Sequence, residues 1–203
     1  PFSGLQEQGF ATGLSVDSNG ISQGDEADEL LFLQDLMRNT MAGQLKDYAF
    51  EDRNGNVVTG EQLDYFGQPA GYTEDPQEVI VYSSAHDGET MFDAVQLKVP
   101  GTTSVADRVR SQNIAVSTVA LSQGVPFFHA GMDMLRSKSM DRDSFNSGDW
   151  FNKLDFTYET NNWGGGLPVA SKNESIWGIM RPLLGDPGIV PVRDDIVAAV
   201  HHF

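Results

Sequence analysis

The chain has 203 residues, of which 13 are lysine or arginine and 29 are aspartate or glutamate, so its formal net charge is −16. We do not expect so acidic a chain to bind nucleic acid or an anionic membrane surface, because both need clustered cationic side chains. The lack of cysteine excludes disulfides, thiolate metal sites and thiol nucleophiles, and the lack of a long apolar run predicts no membrane-spanning helix.

One helix and several turns are predicted for the first third of the chain. Residues 1–26 are rich in Gly, Ser and Asp, which indicates a loop. From about Glu26 to Tyr48, Leu and Met recur every three or four residues, so a helix is predicted. Asn54-Gly55-Asn56 is typical of a hairpin tip, and the turn residues that follow predict an irregular path to residue 78.

A strand, a helix and a second strand are predicted for the middle of the chain. The first strand covers residues 79–84, and a loop is expected over residues 88–102. The helix runs from about Ser104 to Gln123, and the second strand is Val125–Phe128. This order is typical of a βαβ unit with parallel strands and a right-handed crossover.

A long polar segment follows, from Gly131 to about Pro191, with one short helix expected around residues 175–184. A last helix is predicted over residues 193–203. So long an irregular segment usually has a function or forms a binding surface. Two parallel strands alone would leave unpaired edges, so either further strands lie within residues 1–78 or the chain is part of a larger barrel. We favour the barrel.

His86 and Asp87 form an adjacent pair just after the first predicted strand. At the carboxyl end of a strand in a parallel barrel, such side chains face the active site. An imidazole and a carboxylate there can hold neighbouring sugar hydroxyls and stabilise positive charge on the sugar ring.

Four stretches resemble a known family. Residues 79–93, VIVYSSAHDGETMFD, resemble the fourth conserved region of the α-amylase superfamily of glycoside hydrolases. Residues 123–155 and 160–168 (TNNWGGGLP) resemble the pullulanase subfamily of starch-debranching enzymes. So do the opening Pro1-Phe2-Ser3 and residues 8–13, QGFATG.

The resemblance implies an α/β fold, the C-terminal portion of a (β/α)8 TIM barrel with strands seven and eight, their helices and a long active-site loop. Residues 1–203 would then be one partial catalytic barrel. The N-terminal half of the barrel and the C-terminal β-sandwich of the family would be absent from the chain.

The implied activity is retaining hydrolysis of α-1,6-glucosidic branch linkages in pullulan, starch or limit dextrins. His86 and Asp87 match the catalytic pair that stabilises the transition state, and Asp149 matches a residue that binds the next sugar. Lys153 stands where the family usually has arginine and is expected to bind substrate with a point charge instead of a planar fork. Trp150 is a candidate for stacking on a sugar face.

The chain departs from the family pattern in two loop residues and in its catalytic motifs. Gly88 replaces a common Asn, and Glu89 also departs from the usual pattern. No motif in the chain matches those around the nucleophilic aspartate and the acid glutamate that a retaining glycosidase needs. We therefore expect the chain alone to be inactive and the missing N-terminal part of the same enzyme to be its partner. The alternative is a non-catalytic α-glucan-binding fragment.

No cofactor is expected. Calcium is not indicated, because the acidic residues near the start of the chain lack the spacing of a known calcium loop. His201-His202 is expected to be a surface pair, since adjacent helical residues point to different faces. The family resemblance favours an extracellular or periplasmic location, on which the residues themselves are silent.

Overall fold

The structure is a computed structural model that describes residues 4–21 and 23–203. The opening Pro1-Phe2-Ser3 therefore lies outside the described residues. The first helix, α1, spans Glu26–Met41. It ends before the predicted Tyr48 because Gly43 and Gln44 have left-handed backbone conformations. A Cβ at Gly43 would lie 2.6 Å from Pro76, so glycine is required where these two segments meet.

Two antiparallel hairpins follow α1. Strands β1 (Ala49–Glu51) and β2 (Val57–Thr59) form the first, and the expected tip at Asn54-Gly55-Asn56 is confirmed. Asp52 stabilises that tip, because its Oδ1 accepts hydrogen bonds from the Asn54 and Asn56 amides, both at 2.9 Å. The second hairpin joins β3 (Asp64–Tyr65) to β4 (Gln68–Pro69).

The predicted βαβ unit is present. Strands β5 (Ile80–Val81) and β6 (Val125–Pro126) pair in parallel, with Ile80 opposite Val125. Helix α3 (Val105–Leu121) connects them and begins at the cap residue Ser104, whose Oγ accepts from the Asp107 amide. Both strands are shorter than predicted. The loop predicted over residues 88–102 is wrong, since it contains helix α2, Met91–Lys98.

The long polar segment is mostly irregular, as predicted. It contains the short helices α4 (Asp149–Asn152) and α5 (Ala170–Asn173) and the longer α6 (Trp177–Leu184). The last helix, α7, spans Arg193–His202. None of the helices in the described ranges combines the length and apolar character that crossing a bilayer requires.

The main hydrophobic core is built around this segment. Its buried side chains come from α2, α3, α6, α7 and the irregular chain between β6 and α7. Phe92 on α2 packs edge-to-face against Trp163, with ring centroids 5.6 Å apart. The members that belong to the irregular parts of the segment are Met134, Leu135, Met140, Trp163, Ile176 and Ile189. Although predicted as polar loop, this segment is therefore a large part of the interior.

The prediction that the chain is the C-terminal portion of a (β/α)8 TIM barrel is wrong. Residues 4–21 and 23–203 form three separate two-stranded sheets, and two of these are antiparallel. The parallel pair has only two residues in each strand. Barrel closure needs tilted, staggered strands that pair on both sides, which strands of this length and number do not provide. The β-branched run at residues 79–82 indicated a longer strand than forms.

Candidate functional site

A cavity of about 130 Å³ lies between the loop that follows β5 and the segment that follows β6. His86 and Asp87 line it from the first side, and Asn152 lines it from α4. The cavity is bounded by a group of cationic or potentially cationic side chains, His129, Arg136, Lys138 and Arg142. The most prominent residues of the sequence analysis thus lie in a concave polar site, as a binding role requires.

The His86 and Asp87 side chains are almost fully exposed, at 87% and 93% of their accessible area. The His86 Nε2 atom lies 3.6 Å from Asp87 Oδ1. At that separation the two side chains form an ion pair only when the imidazole is protonated. Both groups are therefore available to donate to and accept from a ligand in the cavity.

The backbone of this pair is held from the other side of the cavity. The Lys138 ammonium donates a hydrogen bond to the His86 carbonyl oxygen at 2.9 Å. The Gly88 amide donates to the Arg142 carbonyl oxygen at 3.1 Å, and the Arg142 guanidinium pairs with Glu89 at 2.6 Å. Exposed side chains thus project from a backbone that is fixed on both sides of Asp87.

His129 is a neutral member of the cavity wall. Burial, followed by the charges of Arg136, Lys138 and His86, lowers its pKa to about 4. Arg136 Nη1 lies 3.1 Å from His129 Nε2, and a guanidinium can only donate there, so Nε2 must be unprotonated. His129 is best described as a strand-end residue that shapes the site.

Asp93 lies behind the cavity and is fully buried. Its carboxylate accepts hydrogen bonds from Ser137 Oγ at 2.5 Å and from the Lys138 amide at 2.9 Å. Burial nevertheless raises its pKa to about 6, so the carboxylate is ionised at neutral pH. This anion organises the segment from which Lys138 reaches His86.

Three predicted substrate-binding residues, Asp149, Trp150 and Lys153, lie on or next to α4 and are exposed. The side chain of α4 that reaches the cavity is that of Asn152, which also bonds Ser144 at 2.8 Å. Asp149, Trp150 and Lys153 therefore lie beside the cavity wall and are not grouped with His86 and Asp87. Trp163 is a core residue, 7% exposed.

Arg136, Lys138 and Arg142 were not predicted as site residues. Their clustering is visible in the sequence, because three of the 13 cationic residues fall within residues 136–142 of a strongly acidic chain. Lys138 is 1% exposed, and a lysine so deeply buried needs a specific partner. Sequence alone does not reveal that burial.

A metal centre is not built by the described side chains, since residues 4–21 and 23–203 contain no group of three or more His, Asp or Glu that could hold an ion. His202 at the end of α7 shares a hydrogen bond of 2.8 Å with Ser117 Oγ on α3. Its neighbour His201 is exposed, as the prediction of a surface pair requires.

Comparison with known proteins identifies the relatives of the chain. Residues 158–203 match a family described as alpha-1,6-glucosidases, pullulanase-type, C-terminal. The whole chain is 48% identical to pullulanase 1, chloroplastic, of Arabidopsis thaliana, and 90% of it is 38% identical to a pullulanase of Klebsiella pneumoniae. Its relatives are pullulanases. The chain spans 22% and 17% of the length of these two proteins.

Solved pullulanase structures have the same fold over this region. A Klebsiella pneumoniae pullulanase complexed with maltotriose superposes with a TM-score of 0.92 and 36% identity, over 97% of this chain and 18% of that one. The apo pullulanase of the same organism gives a TM-score of 0.93. The chain therefore has the fold of one part of these pullulanases, and the matched family model is a C-terminal one, which also speaks against the barrel prediction.

Proposed function

We propose that the chain is one part of a glycoside hydrolase of the pullulanase type, which cleaves α-1,6-glucosidic linkages in pullulan, starch or limit dextrins with retention. The observation that carries the proposal is the His86-Asp87 pair, whose side chains are exposed in a polar cavity while their backbone is fixed. Similarity to pullulanases, including one crystallised with maltotriose, supplies the substrate class.

The proposed chemistry of the pair follows from its donors and acceptors. The His86 imidazole donates a hydrogen bond to a sugar hydroxyl, and the Asp87 carboxylate accepts from a neighbouring one. As positive charge develops on the ring in an oxocarbenium-like transition state, the Asp87 anion stabilises it more strongly than it stabilises the ground state. Both residues then lower the barrier without forming a covalent bond.

We propose that Asp149, Trp150 and Lys153 contact the sugars that extend beyond the cavity. Their exposure on and beside α4 makes them available for this, and Asn152 of the same helix connects them to the cavity wall. The Lys153 ammonium donates to single oxygens, and the Trp150 ring, 60% exposed, offers an apolar face to pyranose C–H groups.

The nucleophile and the acid of a retaining mechanism are proposed to come from the rest of the same enzyme. The chain by itself should then bind glucan without hydrolysing it. Pullulan incubated with the 203-residue chain should release no reducing ends above a buffer blank. Turnover that rises in proportion to the amount of protein would overturn this part of the proposal.

Binding is tested by calorimetric titration of the chain with maltotriose. We expect millimolar or tighter binding that Asp87→Asn weakens at least about tenfold, the equivalent of one hydrogen bond to a charged group. Asp75→Asn is the matched control, because Asp75 is exposed and remote from the cavity lining. Equal affinities of the two variants would remove Asp87 from the site.

A further inference from the structure

We propose that the segment Ser137–Arg142, here named the clamp segment, positions His86 and Asp87 for glucan, with Lys138 as its central positioning residue. The inference rests on the proposed function, since it assigns a role within the same site. Four observations support it: the contacts of Lys138, the contacts of Arg142, the hydrogen bonds from the segment to Asp93, and the left-handed backbone conformations within the segment.

Lys138 is a buried cation whose ammonium donates to the His86 backbone. It is 1% exposed, and its Nζ lies 2.9 Å from the His86 carbonyl oxygen. Burying an ammonium group is unfavourable, and a hydrophobic side chain of similar volume would fill the same space at less cost. Core packing therefore does not explain this lysine. Its hydrogen bond to the His86 carbonyl oxygen and the attraction of the buried Asp93 and Asp141 carboxylates explain why a cation stands here.

Arg142 holds the other side of the pair. Its carbonyl oxygen accepts from the Gly88 amide at 3.1 Å, and its guanidinium pairs with Glu89 at 2.6 Å. The two ends of the clamp segment thus contact residues on both sides of Asp87. A loop held at two points loses less conformational freedom when a ligand binds than a free loop does, which favours affinity.

Asp93 fixes the clamp segment to α2. The Asp93 carboxylate accepts from Ser137 Oγ and from the Lys138 amide, and Ser137 Oγ also accepts from the Ser139 amide at 2.8 Å. Asp93 and Ser137 both have 0% exposure. The hydrogen bond from Lys138 to Asp93 uses the backbone amide, and the side-chain ammonium, which is also attracted by the Asp93 and Asp141 carboxylates, donates its hydrogen bond to the His86 carbonyl oxygen.

The clamp segment contains backbone strain. Ser139 and Met140 have positive φ angles of 49° and 65°, and Leu135 just before the segment has one of 59°. None is glycine, and a left-handed conformation is less stable than a right-handed one for a residue that has a Cβ atom. Strain of this kind persists where the surroundings impose a particular geometry, which is common at binding sites.

The test uses Lys138→Met in the 203-residue chain, because Met keeps the volume and the backbone hydrogen bond to Asp93 but removes the ammonium. Amide hydrogen exchange of Gly88, followed by NMR, should accelerate at least about tenfold. Maltotriose affinity should fall by a similar factor. The double variant with His86→Ala should lose less affinity than the sum of the two single losses, because part of the effect of Lys138 acts through the His86 side chain and the rest through Asp87. Lys46→Met, a change at a lysine that pairs with Glu74 and does not line the cavity, should leave Gly88 exchange and maltotriose affinity as in the wild type.

Three results would overturn the proposal. Unchanged Gly88 exchange in Lys138→Met would show that the lysine does not hold the loop. Weaker maltotriose binding by Lys138→Met with unchanged Gly88 exchange would indicate that Lys138 contacts the sugar directly. Additive losses in the double variant would separate Lys138 from His86. If Lys138→Met does not fold, Ser137→Ala tests how the clamp segment is held, since it removes one Asp93 contact and should accelerate Gly88 exchange. Unchanged Gly88 exchange in Ser137→Ala would also overturn the proposal.

The exchange measurement needs no ligand, so it keeps the two proposals distinct. A wild-type chain that binds no maltotriose would contradict the proposed function. Faster Gly88 exchange in Lys138→Met would still support the clamp in that case, and unchanged exchange would remove it independently.

Discussion

His129 shows how the charges of the cavity act on a single residue. It accepts a hydrogen bond from Arg136 at 3.1 Å, and its pKa falls to about 4 because burial and three neighbouring cationic groups disfavour the protonated ring. The folded pKa lies below the ordinary value of 6.5. Its contribution to stability is therefore complete above pH 6.5 and is lost as the pH falls toward 4.

This predicts a pH-dependent effect of His129→Gln. Glutamine can still accept from Arg136 but does not titrate, so the wild type should lose stability relative to the variant as the pH falls from 7.5 to 5. Asp93 acts with the opposite sign, because its pKa of about 6 lies above its ordinary value, and both proteins contain it. Urea unfolding at the two pH values measures the difference. A stability difference that is independent of pH would contradict the assignment.

Thr90 is the N-cap residue of helix α2. Helix α2 was predicted as loop because only eight residues form it, between turn-rich flanks. Its start signal is nevertheless readable: Thr90 Oγ1 accepts from the Asp93 amide at 3.1 Å, a regular N-cap contact. The helix was missed because short apolar runs do not distinguish helix from loop by periodicity.

Thr90→Ala should lower the free energy of unfolding by about 1 kcal/mol, the usual loss when a threonine cap is removed. Urea denaturation measured by circular dichroism gives the value. Thr102→Ala, an exposed loop position, is the matched control and should stay within about 0.5 kcal/mol of the wild type. Equal effects of the two changes would mean that the cap does not stabilise α2.

The hairpin at Asn54-Gly55 could be predicted from its turn residues, and helix α3 from its cap and its periodic apolar stripe, because these signals are local. The contacts of the clamp segment could not be predicted from the sequence. Its key contact joins Lys138 to a residue 52 positions earlier, and no local pattern encodes such a contact. His86 and Asp87 could be predicted from their position after a strand and from the family resemblance, and the cationic wall around them could be found only in the structure.

At the scale of the whole molecule, one apolar surface stands out. Ile80, Tyr82, Val125 and Phe127, on and just beyond β5 and β6, are between 46% and 60% exposed, and the Tyr82 and Phe127 rings lie edge-to-face at 6.2 Å. Contiguous exposed apolar residues commonly mark a contact surface.

The 203-residue chain should therefore self-associate through this surface. Sedimentation velocity over a concentration series should show a mean mass that rises above the monomer, and Ile80→Lys with Phe127→Lys should reduce that rise because charges oppose burial of the surface. Val57→Lys, a change at an exposed position on β2, should behave as the wild type. A wild-type chain that stays monomeric at every concentration would contradict this role.

The central claim is that His86 and Asp87 bind glucan in the cavity that the clamp segment shapes. A crystal structure of the chain with maltotriose tests it most directly. We expect a glucose unit in that cavity, with hydroxyl oxygens within about 3 Å of the His86 imidazole and the Asp87 carboxylate. Maltotriose bound only at another surface, with the His86-Asp87 cavity free of sugar, would contradict it.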